Sequence, residues 1–181
     1  MRAIGLLMVE HRLIEKIVPI LEAELVRLQD GGEPNPYLIE YAVDFFRTYA
    51  DRTHHGKEED ILFRELKEKK LEPEHIRIMR ELEEEHIIAR SNVKALLEAK
   101  DRWVKGNLGA LEDIKTRLRN LINLYPKHIY KEDKEFFFPI EQYFTPQELE
   151  AMLHESYEFD QKMIHEKYAK ALQTMKQMTE T

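Results

Sequence analysis

Two histidines of this chain, His54 and His128, are each followed by a glutamate four residues later, a spacing that suits joint binding of a small metal ion. Their partners are Glu58 and Glu132. Residues four apart lie on one face of a helix, about one turn from each other. A glutamate carboxylate has two oxygens and can bridge two metal ions, while imidazoles fill terminal positions. The chain contains no cysteine, so any metal is held by His, Asp and Glu, and such donors suit Fe, Mn or Zn.

The two pairs belong to matching segments. Residues 54–59 read HHGKEE and residues 128–133 read HIYKED, so both follow the pattern H-x-x-K-E-acid, and apolar residues come after both. The match selects His54 with Glu58 as the inner pair over His55 with Glu59. Helical periodicity alone does not decide between them, because apolar residues share a face with each histidine. Two interpretations of His55 and Glu59 stay open: they orient the metal ligands, or they are exposed.

Apolar residues at helical spacing predict long helices that would position these side chains. Turns are predicted at 30–36, near 70–73 and at 104–107, where glycine and proline concentrate. The predicted helices span about 3–29, 37–70, 72–104, 108–137 and 145–175. Four long helices joined by short turns indicate an all-α, antiparallel up-and-down four-helix bundle over residues 1–140. Residues 141–181 form an additional C-terminal helix that packs on the bundle or on a partner.

Proline and threonine refine the predicted helix ends. Pro126 lies inside the fourth helix, so this helix is expected to kink before His128 or to restart there. The same helix is expected to stop at Pro139. Thr145 followed by Pro146 and Glu148 predicts the start of the fifth helix, with threonine as the N-cap and glutamate completing a capping box.

In such a bundle four histidines fall at one depth. His11 lies about 19 residues before the first turn, and His54 lies about 19 residues after it. Glu58 and His86 are about equally far from the second turn, and His86 and His128 are similarly placed about the third. The convergence of four helices on one level predicts a metal site.

The other histidines and nearby tyrosines have simpler interpretations. His75 is predicted to be a surface residue, and so are His154 with Glu158 and His165, although His154 and Glu158 repeat the four-residue spacing. Tyr49, Tyr125 and Tyr130 flank the site and are predicted to be mostly core. A ferritin-like arrangement would need Glu-x-x-His on two helices. Here that spacing occurs on or at the start of one helix only, which disfavours it.

The ordered set of motifs resembles the hemerythrin-like HHE cation-binding domain family over about residues 1–140. The segments that carry the resemblance are 10–14 (EHRLI), 54–63 (HHGKEEDILF), 85–90 (EHIIAR) and 128–139 (HIYKEDKEFFFP). The resemblance implies a four-helix bundle around a non-haem di-iron centre. It also implies that four histidines are terminal ligands and two glutamates are bridges: His11, His54, His86, His128, Glu58 and Glu132. Oxygen-carrying hemerythrins have a fifth histidine, for which this chain offers no obvious residue, and the cysteine-bearing N-terminal domain of many iron–sulfur-cluster repair relatives is also missing.

Three functions agree with these features. The first is a di-iron protein that binds or senses a small diatomic ligand such as O₂ or NO, or handles iron under oxidative or nitrosative stress. The second is a di-iron enzyme that reduces peroxide or NO. The third is an interaction protein in which the metal stabilises the fold and the C-terminal helix contacts a second copy or another protein.

Composition limits the partners. The chain has 181 residues, a formal charge of −7 and a pI of about 5.7, without a basic cluster, so it is not expected to bind nucleic acid. No apolar run approaches the roughly 20 residues that a membrane helix needs. The N-terminus lacks a small-residue cleavage site, and a cytoplasmic location is therefore expected.

Overall fold

The computed structural model describes the backbone of residues 3–179 and the side chains of residues 3–165 and 167. Within that part the chain forms five helices and no strand, and the predicted all-α helical bundle is confirmed. Three helices are simple to describe: α1 comprises Ala3–Ile14 and Ile17–Gln29, α3 is Pro73–Val104, and α5 is Pro146–Thr179. Helix α2 comprises the α-helical Pro36–Phe45, the π-helical Phe46–His55 and Glu58–Phe63, and the α-helical Arg64–Lys67. Helix α4 comprises the α-helical Ala110–Tyr130, the π-helical Lys131–Phe136, the α-helical Phe137–Ile140 and the 3₁₀ turn Glu141–Tyr143.

Local signals at the helix starts behave as the sequence predicts. Thr145 and Glu148 form the predicted capping box: the Glu148 backbone N–H donates to Thr145 Oγ1 (3.3 Å), and the Thr145 N–H donates to Glu148 Oε2 (2.8 Å). The Asn35 side chain accepts from the Leu38 N–H at the start of α2. These caps account for donors that a helix end leaves without partners.

Three prolines act differently from one another. The break between the two parts of α1 lies four residues before Pro19, whose ring conflicts with the carbonyl of Glu15. Pro126 lies inside an uninterrupted helical stretch, Ala110–Tyr130, so of the two expected alternatives the restart at His128 is wrong, and the kink stays a prediction. The expected stop of α4 at Pro139 is also wrong, because the chain continues as a helical turn and a 3₁₀ turn. The carbonyl oxygen of Pro139 still accepts a hydrogen bond, which the Gln142 side-chain amide donates (2.8 Å).

The apolar core consists of two clusters, with the histidine-rich layer between them along every bundle helix. On α1, for example, residues up to Leu7 belong to one cluster and residues from Ile14 onward belong to the other. On α2 the order is reversed, with Ala50 on one side of His54 and Ile61 on the other, as antiparallel packing requires. Both clusters exclude water from the layer, so polar groups there need partners within the protein.

Helix α5 packs on α1 and α2. Its residues Leu149 and Met152 are buried in one of the apolar clusters. Further along α5, Phe159 lies so close to Gly56 of α2 that a Cβ at Gly56 would lie 2.8 Å from Phe159 Cζ. Asp160 accepts a hydrogen bond from Lys57 Nζ (2.6 Å), so α5 contacts the stretch of α2 that carries the histidine pair.

None of the helices in the described part of the chain combines the length and the apolar character needed to cross a membrane.

Candidate metal centre

Seven buried side chains from the four bundle helices meet between the two apolar clusters. Each is at most 3% exposed. They are His11 of α1, His54, His55 and Glu58 of α2, His86 of α3, and His128 and Glu132 of α4. The six residues that the sequence singled out are all in this group, and His55 is the additional member.

Each of the two glutamates lies between histidines of different helices. The two Glu58 oxygens lie 3.4 Å from His54 Nε2 and 3.3 Å from His86 Nε2. For Glu132, Oε2 lies 3.0 Å from His11 Nε2 and Oε1 lies 3.3 Å from His128 Nε2. Each glutamate therefore faces a histidine with each of its two oxygens.

The donors form two groups, in each of which the ligand atoms lie within 4.8 Å of one another. One group contains His11, His54, Glu58 and Glu132, and the other contains His55, Glu58, His86 and His128. Because Glu58 belongs to both, the two groups adjoin. Two groups of buried side chains that could hold a metal ion therefore share one carboxylate.

Hydrogen bonding leaves the inward-facing atoms of this layer without partners. Among the described side chains, the buried atoms that lack a hydrogen-bond partner are His11 Nε2, His54 Nε2, His55 Nδ1, His86 Nε2, His128 Nε2 and both oxygens of Glu58 and of Glu132. A buried polar group without a partner destabilises a fold by about 1–3 kcal/mol. A cation that accepts these lone pairs would satisfy them together.

The outward nitrogens of the same histidines are fully engaged. His54 Nδ1 lies 2.9 Å from Glu10 Oε2, and Lys57 Nζ donates to the other Glu10 oxygen. Donation from Nδ1–H to a carboxylate directs the Nε2 lone pair inward, as metal-binding histidines require. The same arrangement recurs for His11 with Asp133 and Arg12, for His86 with Glu59 and Arg90, and for His128 with Glu85 and Lys131.

These contacts give the layer an approximate two-fold symmetry between α1–α2 and α3–α4. The glutamate before His11 holds His54, and the glutamate before His86 holds His128. The acid after Glu58 holds His86, and the acid after Glu132 holds His11. The repeated pattern H-x-x-K-E-acid therefore encodes two halves of one site.

His55 breaks this symmetry, because Ile129 occupies the matching position on α4. His55 is 1% exposed and its ring stacks on that of His86, with centroids 3.8 Å apart. The interpretation of His55 as an exposed residue is therefore wrong. The expectation that the chain offers no residue for a fifth histidine needs the same correction, since His55 supplies one to the layer. Helical periodicity could not have found it, because the adjacent His54 is equally buried.

Charges in the layer shift the pKa values of the histidines in opposite directions. Burial lowers the pKa of His11, but the hydrogen bond to Asp133 and the negative charges of the nearby Glu132 and Glu58 outweigh it and raise the pKa to about 10. The pKa of His86 is also lowered by burial, but the neighbouring Glu132, Glu58 and Glu59 outweigh this effect and raise it well above its usual value. Burial and the neighbouring His86 and His128 hold the pKa of His55 well below its usual range. His55 is therefore neutral and has a lone pair available for a cation.

The remaining candidates divide between the site and the surface. Glu59 is half-buried against His86 and Arg90, so its interpretation as an exposed residue is also wrong. Tyr125 is buried as predicted, whereas Tyr130 is 59% exposed, contrary to the prediction. His154 and Glu158 are exposed as predicted, at 77% and 68% of their side chains.

The fold and the site define a class: a helical-bundle protein whose buried histidines and paired carboxylates form a cation-binding centre. The family model described as Hemerythrin HHE cation binding domain matches residues 2–140, and the chain belongs to that family. No curated protein and no solved structure matches the chain.

Proposed function

We propose that this protein holds two iron ions in the histidine layer and uses them to bind or sense a small diatomic ligand, O₂ or NO, or to handle iron under oxidative or nitrosative stress. The observation that carries the proposal is the set of buried, unpartnered donor atoms on seven residues from four helices. Their number and their convergence match two adjoining cations.

The ligands proposed for the pair are the six residues predicted from the sequence together with His55. His11 and His54 would hold one ion, and His55, His86 and His128 the other. Glu58 and Glu132 would bridge, since each has both oxygens unpartnered. Iron, manganese and zinc all accept such nitrogen and oxygen donors, so metal analysis is part of the test.

One residue beside the layer, Tyr125, favours ligand binding over turnover. Bound iron would supply redox chemistry, and the proposed ligand set gives four protein ligands to one ion and five to the other, which would leave coordination positions open for a small molecule. Tyr125 lies in the wall beside His55, and burial raises its pKa. It therefore retains its proton and is a poor acid for peroxide or NO reduction.

The test is metal analysis and optical spectroscopy of protein purified anaerobically from iron-replete cells. About two iron ions per chain are expected, and addition of O₂ or NO should change the spectrum. Reversible change without consumption of ligand indicates binding, whereas repeated turnover of peroxide or NO would indicate the enzyme instead. Less than about one metal ion per chain, or a metal whose spectrum ignores both ligands, contradicts the proposal.

A matched pair of variants distinguishes the buried site from adventitious binding. His54→Ala removes a donor from the layer, and we expect it to lower the metal content. His154→Ala removes a histidine with the same spacing to a glutamate, but on an exposed face, and should leave the metal content unchanged. Equal effects of the two substitutions would contradict the assignment.

A further inference from the structure

A cavity beside the histidine layer is larger and more apolar than a site for a diatomic ligand needs to be. It has a volume of about 230 Å³, against roughly 30 Å³ for one water molecule in the liquid. Its buried wall is formed mainly by apolar and aromatic side chains: Phe46, Ala89, Val93 and Tyr125. This space fits an organic molecule of several non-hydrogen atoms.

The rim of the cavity is basic in a chain that is acidic overall. Arg47, Arg90 and Lys94 line it together with one carboxylate, Asp51, although the formal charge of the chain is −7. Arg90 is engaged by Asp51 and Glu59. Arg47 and Lys94 are exposed, and the Glu98 carboxylate lies 3.9 Å from Lys94 at a highly exposed position. A basic opening with low-dielectric walls attracts small anions.

The inner end of the cavity includes His55. This side chain is 99% buried, its Nδ1 has no hydrogen-bond partner, and its ring lines the cavity. Asp51 Oδ1 lies 3.6 Å from Nδ1, beyond hydrogen-bond reach. His55 therefore forms the inner end of the cavity and places any occupant next to the histidine layer.

We propose that this cavity binds a small organic monocarboxylate. The apolar body would pack on Phe46, Val93 and Tyr125, and Arg47 with Lys94 would attract and hold the carboxylate. An occupant would lie against His55 and control the approach of small molecules to the open positions of the metal pair. This effect on the metal centre rests on the proposed function. The ligand class follows from the wall and the rim, independently of the metal.

The test uses 4-fluorobenzoate as the probe and the full-length protein as purified, with metal content measured on every sample. Binding is followed by fluorine NMR, and the methyl signals of Val93 locate the occupied site. We expect the Val93 signals to shift on titration. The neutral analogue 4-fluorobenzyl alcohol should bind at least tenfold more weakly, and added salt should weaken the acid because the rim is exposed.

Surface variants identify the charges responsible without disturbing the core. Arg47→Glu combined with Lys94→Glu should raise the dissociation constant at least tenfold. The control combines Arg80→Glu with Lys70→Glu, which changes the net charge equally at exposed positions away from the cavity, and should alter it less than twofold. Equal affinities in the two double variants, equal affinity for acid and alcohol, or binding without a shift at Val93 would each overturn the proposal.

The two proposals fail separately. Protein with about two iron ions that does not bind the probe overturns only the carboxylate site. Protein that binds the probe at Val93 but contains no metal supports the carboxylate site and contradicts the proposed function.

Discussion

His54 and His55 are adjacent, yet both are buried in the same layer. Successive residues on an α-helix are about 100° apart, so a narrow apolar stripe holds only one of them well. The matching segment around His128 correctly brought His54 into the layer. It could not reveal His55, because the equivalent position on α4 is Ile129 and the layer is asymmetric there.

Replacing His55 tests whether the asymmetry has a function. His55→Ala should lower the metal content from about two ions per chain toward one, because the group with His86 and His128 loses a donor. The sequence alone left two interpretations of His55 open, orientation of the ligands or exposure, and neither predicts this loss of a donor. Emission spectroscopy on dialysed protein provides the measurement.

Ile129→Ala is the matched control, since it truncates the symmetry-related buried side chain without removing a donor. It should keep both metal ions while losing about 2–4 kcal/mol of unfolding free energy. If Ile129→Ala loses as much metal as His55→Ala, then packing, not ligation, explains the effect of His55.

Lys57 and Lys131 occupy equivalent motif positions but differ in burial. Lys57 is 1% exposed and pairs with Glu10 and Asp160, whereas the side chain of Lys131 is 20% exposed beside Glu85. Lys57→Met should lower the unfolding free energy by about 3–5 kcal/mol, because Glu10 stays buried without its cation. Lys131→Met should lower it by about 1 kcal/mol. Urea unfolding of the metal-free variants measures both, and equal losses would contradict the role of burial.

At the scale of helices, the sequence predicts which helices exist and where most of them begin and end, Pro139 of α4 excepted, better than it predicts their internal geometry. Turn residues and the capping box at Thr145 give five helices in the right order, because those signals are local. The π-helical stretches Phe46–His55, Glu58–Phe63 and Lys131–Phe136 carry or adjoin most of the donors, and π-helices frequently occur at functional sites. Their wider turns follow from tertiary packing around the polar layer, which no 3.6-residue pattern encodes.

Gly56 tests the contact between α2 and α5. Its φ of −58° is ordinary helical backbone, so alanine fits the helix locally, but its Cβ would lie 2.8 Å from Phe159 Cζ. Gly56→Ala should therefore lower the unfolding free energy by about 1–3 kcal/mol through overpacking. In a double-mutant cycle with Phe159→Leu the penalty should shrink. An undiminished penalty would locate the strain elsewhere than at Phe159.

At the scale of the whole molecule, the two apolar clusters explain why the polar layer needs positive charge to balance its buried glutamates. The clusters seal the layer from water on both sides along every bundle helix. Without metal, histidines and glutamates must neutralise one another there, and protonated His11 and His86 take the place of the missing positive charge. Stability, protonation and metal binding are therefore linked.

Because of this linkage, the stability of the metal-free protein and that of the metal-loaded protein should depend differently on pH. The raised pKa values of His11 and His86 stabilise the metal-free protein fully below pH 6.5, and this contribution is lost as the pH rises toward about 10, the pKa of His11. His55, with its lowered pKa, is neutral in the folded chain, and the unfolded chain protonates it appreciably only near and below pH 6.5, so its contribution is small at pH 6.5 and fades as the pH rises. In the metal-loaded protein, protons do not compete with the metal for the histidine nitrogens at high pH, so the stability of this form should not fall as the pH rises.

Thermal unfolding between pH 6.5 and 9.5, with and without chelator, measures the difference. The midpoint of the metal-free protein should fall with rising pH, and the gap to the metal-loaded form should widen. His11→Gln, which cannot take up a proton, should flatten the metal-free curve. A metal-free protein equally stable at both ends of the range would mean that the buried glutamates are not balanced by protonated histidines, and the cation demand of the layer would have to come from another source.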